Sequence, residues 1–197
     1  MDRWALDSHL KAAAAEDAGK FEAEIVSVQV AGEDGKTRME SRDETLRRDS
    51  SLEQLAALKP VFRSDGRVTA GNSPGLNDGA AAVVYSSREK AAALGLKPIA
   101  RVVGYAQAAV APKEMFIAPA RAIPTLLAKV GWTPEQIDLI ELNEAFAAQV
   151  LADGYALSET GWDWDKVNVH GGAIALGHPL GASGARILTT LIYALRD

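Results

Sequence analysis

The sequence predicts an α/β protein in which a layered body of strands and helices follows a charged, peripheral front. Three observations carry that expectation. From residue 80 onward, short apolar runs of strand type alternate with helical spacings. The first 67 residues hold 25 of the 47 charged side chains, and the other 130 hold 22; a merely amphipathic surface at the front would give the same shift. Hydrophobic residues make up 48% of 197 residues and charged residues 24%, a globular composition in a chain long enough to bury a core.

In chain order, Trp4, Leu6, Leu10 and the alanines 12 to 15 suit a helix ending near Gly19. Ile25 to Val30 reads as a strand, and Gly32-Glu33-Asp34-Gly35 as a turn. Ser51-Leu52-Glu53-Gln54 fits a capping box ahead of a short helix, and Thr69 to Asp78 is a Gly/Asn/Ser/Pro loop. Ala80 to Tyr85 and Ile99 to Ala106 read as buried-type strands, separated by a helix from Ser87 to Leu94 that Gly95 stops. A helix between Pro119 and Val130 contains Pro124, which predicts a late start or a kink. Thr133-Pro134-Glu135-Gln136 offers a second capping box. Leu139 to Leu142 reads as a strand, after which Asn143 opens a helix through Phe146, Val150 and Leu151. The last helix carries Ile187, Leu188, Leu191, Ile192 and Leu195, spaced for one buried face.

The formal net charge of −5 lacks the basic footprint of a nucleic-acid binder. No apolar run approaches the ~18 residues of a membrane span, and no apolar leader is visible, so the cytoplasm is the expected compartment. There is no cysteine, and the three histidines show no paired-ligand spacing, so no metal site is expected.

The densest special segment runs from Asn168 to Gly184 and holds five of the 17 glycines. Within it His178 stands between Gly177 and Pro179. A residue before proline is pushed out of the helical region, which sets the imidazole on a stiff turn fit for a base or an oxyanion donor. A turn histidine bonded only to backbone is the bland alternative. His170 reads as a residue supporting the site from behind, and His9 as surface. The glycine spacing matches neither the dinucleotide fingerprint nor the P-loop, and Ser183 lacks the spacing of a hydrolase elbow. Asn143, before Glu144-Ala145-Phe146-Ala147, is either a helix cap or an amide that fixes a water or a substrate oxygen.

Three blocks, VTAGNSPGLNDGAAAVV at 68–84, ELNEAFAAQ at 141–149 and NVHGGAIALGHPLGASGARI at 168–187, together resemble the thiolase family in order and distance. The ketoacyl synthases share the fold but use a different pair of histidine motifs. The resemblance implies an acyltransferase of acyl-CoA and lipid metabolism that makes or cleaves 3-ketoacyl-CoA by Claisen condensation or thiolysis. It implies His178 as the active-site histidine, Asn143 as holder of the oxyanion-hole water, and Phe146, Met115 and Gly177 as substrate-binding residues. Coenzyme A, a substrate, would meet Arg47 near its phosphates and Ser73 and Pro74 along its pantetheine arm. Pro74 stands where the family often has serine, and Met115 to Pro119 replaces a version richer in glycine.

Family catalysis uses two cysteines. The resemblance places both outside this sequence, so the expected fold is an incomplete thiolase-like αβαβα layering. Residues 1–76 would belong to the coenzyme A-binding loop region, 77–97 to the end of the N-terminal half and 98–197 to the C-terminal half. The chain alone is then expected to be inactive, to expose apolar faces, and to belong to a homodimer or homotetramer when complete. A non-catalytic acyl-CoA-binding scaffold is the competing function.

Overall fold

Alanine and other small side chains line one side of the first helix, α1 (Asp2–Asp17), where Ala5, Ser8, His9, Ala12, Ala13 and Ala15 are buried. The computed structural model, which describes residues 1–32 and 35–196, seats that face on the short helix α6 (Ala173–Leu176), whose Ala173, Ile174 and Ala175 are buried too. Small residues on both sides let two backbones come close, and Ala5, Leu55, Ala147 and Ile174 form the centre of the core. Gly171, in the left-handed region at φ +77, belongs to the same contact: a Cβ there would lie 2.8 Å from the Cβ of Ala12. As expected, α1 stops just before Gly19, at φ +71. His9 is not on the surface. It is 4% exposed and accepts the backbone N–H of Arg47 at Nδ1 (3.2 Å), because it shares the helix face that packs inward.

The strand expected at 25–30 is a shorter one, β1 (Val28–Ala31), paired antiparallel with β2 (Thr37–Glu40) in register Val28↔Glu40 to Ala31↔Thr37. This ribbon is largely exposed. At its tip Gly32 N–H donates to the Lys36 carbonyl (2.7 Å), while Glu33 and Asp34 of the expected turn lie outside the described residues.

Local signals fared well. The hydroxyl of Ser51 caps α2 (Leu52–Ala56), accepting from the N–H of Gln54, and Ser87 caps α3 (Arg88–Ala93) in the same way. Gly95 follows α3 at φ +64. The Thr133–Gln136 box is present with both reciprocal bonds, and so is a Thr69–Asn72 box that the loop reading of 69–78 did not foresee. α4 (Ala118–Val130) starts one residue before Pro119 and runs through Pro124 rather than starting late.

The expected strands at Ala80–Tyr85 and Ile99–Ala106 are the main corrections: neither forms a ladder among the described residues. A strand needs a neighbour's N–H and C=O groups, and no described residue pairs with these segments. Their apolar side chains are exposed, Val84 at 98% and Val102 at 74%. Leu139–Leu142 contributes only one parallel bridge, Ile140 to Val167. The expected buried face of α7 (Ser183–Ala194) is half open, with Leu188 and Leu195 exposed, because its buried positions are Ser183 and Thr190.

Candidate active site

Asn143 does not open a helix. The next helix, α5 (Ala147–Ala156), starts four residues later, and Asn143 sits on the connection between the Ile140 bridge and α5. That connection is held by side chains. Asn168, in the left-handed region at φ +46, accepts the N–H of Leu142 at Oδ1 and donates from Nδ2 to the Leu142 carbonyl, both at 2.8 Å. Its amide thus imitates a neighbouring strand.

Glu144 anchors the next residue. Completely buried, its carboxylate accepts from four donors: Trp4 Nε1 (2.9 Å), Ser8 Oγ (2.7 Å), Asn168 Nδ2 (3.2 Å) and the backbone N–H of Ile174 (3.0 Å). Ser8 Oγ in turn accepts the N–H of Gly172 (3.0 Å). A buried carboxylate is tolerable only when so many donors surround it. These bonds join α1, the Asn168 turn, α6 and the Asn143 connection into one unit. Sequence reasoning missed Glu144; its signal was a carboxylate between an amide and the apolar run Ala145-Phe146-Ala147.

The Asn143 and His178 side chains meet, with Nδ2 of Asn143 3.3 Å from Nε2 of His178. Asn143 Oδ1 is buried and makes no hydrogen bond among the described residues. The His178 turn is fixed on three sides. Gly177 precedes it at φ +94, where a Cβ would lie 2.9 Å from Cγ of Asn77. The backbone N–H of His178 donates to Asn77 Oδ1 (3.2 Å). Ring atom Nδ1 lies 2.6 Å from Ser183 Oγ, at the start of α7. Burial, and secondarily the Arg186 guanidinium, hold the His178 pKa below the usual histidine value, which favours the neutral imidazole. An open groove between Asn77–Ala81 and Pro179–Ala182 adjoins this turn.

Behind the pair lies a buried cluster of charges. Arg186 Nη1 is 3.8 Å from Glu141 Oε2, and Glu24 Oε1 accepts the hydroxyl of Thr190 (3.2 Å). Burial outweighs the pull of Arg186 and pushes the Glu141 carboxyl up to about 8; Glu24 is pushed up to about 7, again mainly by burial. For both groups the folded state binds protons that the unfolded chain has released. Stability is therefore expected to fall as pH rises from the ordinary carboxylate range to about 8, and to level off above it. Urea unfolding at stepped pH checks this, and Glu141→Gln should give the shallower slope; an equal slope would refute it.

The other expected site residues are more scattered. The Phe146 ring meets Phe116 edge-on at 5.4 Å and Phe62 at 6.0 Å, an aromatic group in which only Phe146 was expected. Met115, next to Phe116 in sequence, is 59% exposed. Arg47 is exposed, Ser73 donates its hydroxyl to the Thr69 carbonyl (2.8 Å) within its own turn, and Pro74 is half-buried. His170 meets Phe21 edge-on, with ring centroids 6.0 Å apart. Among the described residues no cluster of three or more His, Asp or Glu is placed to hold a metal ion, and no helix is long and apolar enough to cross a membrane.

Residues 1–89 match the family model of the thiolase N-terminal domain, and residues 96–197 that of the thiolase C-terminal domain. The acetyl-CoA acetyltransferase of Chromobacterium violaceum is 51% identical over 196 residues, which is 100% of this chain and 49% of that protein. That of Pseudomonas aeruginosa is 53% identical over 195 residues, 99% of this chain and 49% of the relative. The chain spans about half the length of the curated relatives it matches. Among solved structures, the Bacillus anthracis acetyl-CoA acetyltransferase superposes with a TM-score of 0.93 at 50% identity, over 99% of this chain and 48% of that one. Human mitochondrial 3-ketoacyl-CoA thiolase superposes with a TM-score of 0.88 at 40% identity, over 99% and 48%. The fold is a partial thiolase fold.

Proposed function

The chain belongs to the thiolase family, and from that premise we propose that it supplies the proton-transfer and oxyanion half of an acyl-CoA C-acyltransferase that makes or cleaves 3-ketoacyl-CoA. The observation that carries this reading is the 3.3 Å approach of the Asn143 amide to Nε2 of His178. A neutral imidazole at that point takes a proton from a nucleophilic thiol and, once charged, stabilises the thioester oxygen as negative charge develops on it. Asn143 orients a water toward the same oxygen.

The chain has no cysteine, so in this reading both thiols come from segments outside it, and the chain alone carries out no turnover. Phe146 and Met115 face the acyl group and Gly177 lets it pass close to backbone. Arg47 attends the phosphates of coenzyme A, with Ser73 and Pro74 along the pantetheine. Residues 1–76 act as part of the coenzyme A-binding loop region, 77–97 close the N-terminal half, and 98–197 form the C-terminal half. The complete protein works in the cytoplasm as a homodimer or homotetramer.

The test uses the chain itself. Acetoacetyl-CoA is expected to perturb the ring resonances of His178, with no cleavage when coenzyme A is added. Unchanged His178 signals at saturating ligand would overturn the proposed site. Measurable thiolysis would overturn the division of labour.

A further inference from the structure

We propose that Ser183 is the positioning residue that holds His178 in its Nδ1–H tautomer, leaving Nε2 as the basic nitrogen opposite Asn143. This rests on the reading of His178 as the base, and adds how that base is prepared.

Two contacts point the same way. Asn143 presents its amide nitrogen, a donor only, to Nε2 at 3.3 Å. A hydrogen on Nε2 would set donor against donor, so Nε2 carries the lone pair and the ring hydrogen sits on Nδ1. On the other side, Ser183 Oγ lies 2.6 Å from Nδ1 and donates its own hydrogen to the Pro179 carbonyl at 3.1 Å. A hydroxyl whose hydrogen is committed to a carbonyl offers Nδ1 only lone pairs, and therefore accepts from Nδ1–H. The polarity of the relay is thus set by Pro179, whose carbonyl cannot donate.

The surroundings make Ser183 rigid enough for this task. It is 5% exposed and is the first residue of α7. Its N–H donates to the same Pro179 carbonyl at 2.9 Å, which closes the turn from Pro179 to Ser183. The hydroxyl can therefore swing little. Proline at 179 fixes φ of the residue that carries the accepting carbonyl. The histidine, the carbonyl that orients the serine and the serine itself all fall within six positions, 178 to 183. Which ring nitrogen bears the hydrogen is commonly decided by the partner of the other nitrogen.

The experiment is nitrogen-15 NMR on the full chain with labelled histidine, free of ligand, at a pH where His178 is neutral. The expected spectrum has a protonated Nδ1 and an unprotonated Nε2. Ser183→Ala is expected to shift the tautomer ratio toward Nε2–H by about fivefold or more, the worth of one hydrogen bond. Ser183→Thr, which keeps a hydroxyl, is expected to restore the wild-type ratio. A wild-type spectrum dominated by Nε2–H would overturn the proposal, as would an unchanged ratio in Ser183→Ala. If Ser183→Ala does not fold, Ser183→Cys, which puts a much weaker acceptor at the same place, is expected to shift the ratio in the same direction, and an unchanged ratio there overturns the proposal. Because ligand is absent, failure here is distinct from failure of the acetoacetyl-CoA experiment.

Discussion

Replacing Glu144 by alanine is expected to leave the chain unfolded at room temperature. The change removes one buried carboxylate and strands its four donors, from Trp4, Ser8, Asn168 and Ile174, two of which come from α1 alone. A buried donor left without a partner costs about 1–3 kcal/mol. Even at the lower figure the loss consumes much of the roughly 5–15 kcal/mol that holds an ordinary domain together. A cavity adds to it. Circular dichroism should show the loss of helix directly. Glu144→Gln keeps the shape but turns an NH2 group toward donors at one of its two oxygen positions. It is expected to fold with stability lowered by about 2 kcal/mol. Should Glu144→Ala melt within a degree or two of wild type, the anchoring role of Glu144 is wrong.

Gly172→Ala is expected to have the next largest effect, and for a purely steric reason. Gly172 has φ −145 and ψ −159, extended backbone that alanine adopts freely. The obstacle is space: a Cβ would crowd the Glu144 carboxyl carbon and lie 2.6 Å from Oε2 and 2.8 Å from Asn168 Nδ2. Both neighbours are fully buried and already bonded, so neither can retreat. Overpacking of this kind costs typically about 1–3 kcal/mol, or several degrees in Tm for a chain of this size. A double-mutant cycle isolates the cause. Combined with Glu144→Gln, the cost of Gly172→Ala should differ from its cost alone, since the two side chains contend for one volume. Strict additivity would place the clash elsewhere.

Most caps and helix stops were readable from the sequence because they are decided within four residues, although the equally local Thr69–Asn72 box was read as loop. Ser51, Ser87 and Thr133 each meet an N–H three positions on, and Gly19 and Gly95 each end the helix before them. The strands were not readable in this way. The apolar runs at 80–85 and 99–106 specify burial, but a ladder also needs a neighbour, and no described residue pairs with them. Asn143 shows a subtler limit. Its residue type suits a helix cap, yet Asn168, 25 positions later, already organises the backbone beside it and leaves the amide to meet His178. Glu144 escaped notice because every one of its partners lies at least 24 residues away. His9 was misplaced for a related reason, since a lone histidine near the start of an alanine-rich helix gives no sign of which face turns inward.

The Ser8 hydroxyl bonds the N–H of Gly172 across 164 positions, and that span sets a clock for biosynthesis. Ribosomes add about 5–20 residues per second, so the first helix emerges roughly 8 to 30 seconds before its final seat exists. Throughout that interval its alanine stripe is without the glycine turn, and for most of it also without the carboxylate, that later cover it. Closing so long a loop is slow in entropic terms as well. Refolding from denaturant and folding during translation should therefore share one late event, the docking of the amino-terminal helix, and nascent chains arrested short of residue 174 should remain open to proteases there.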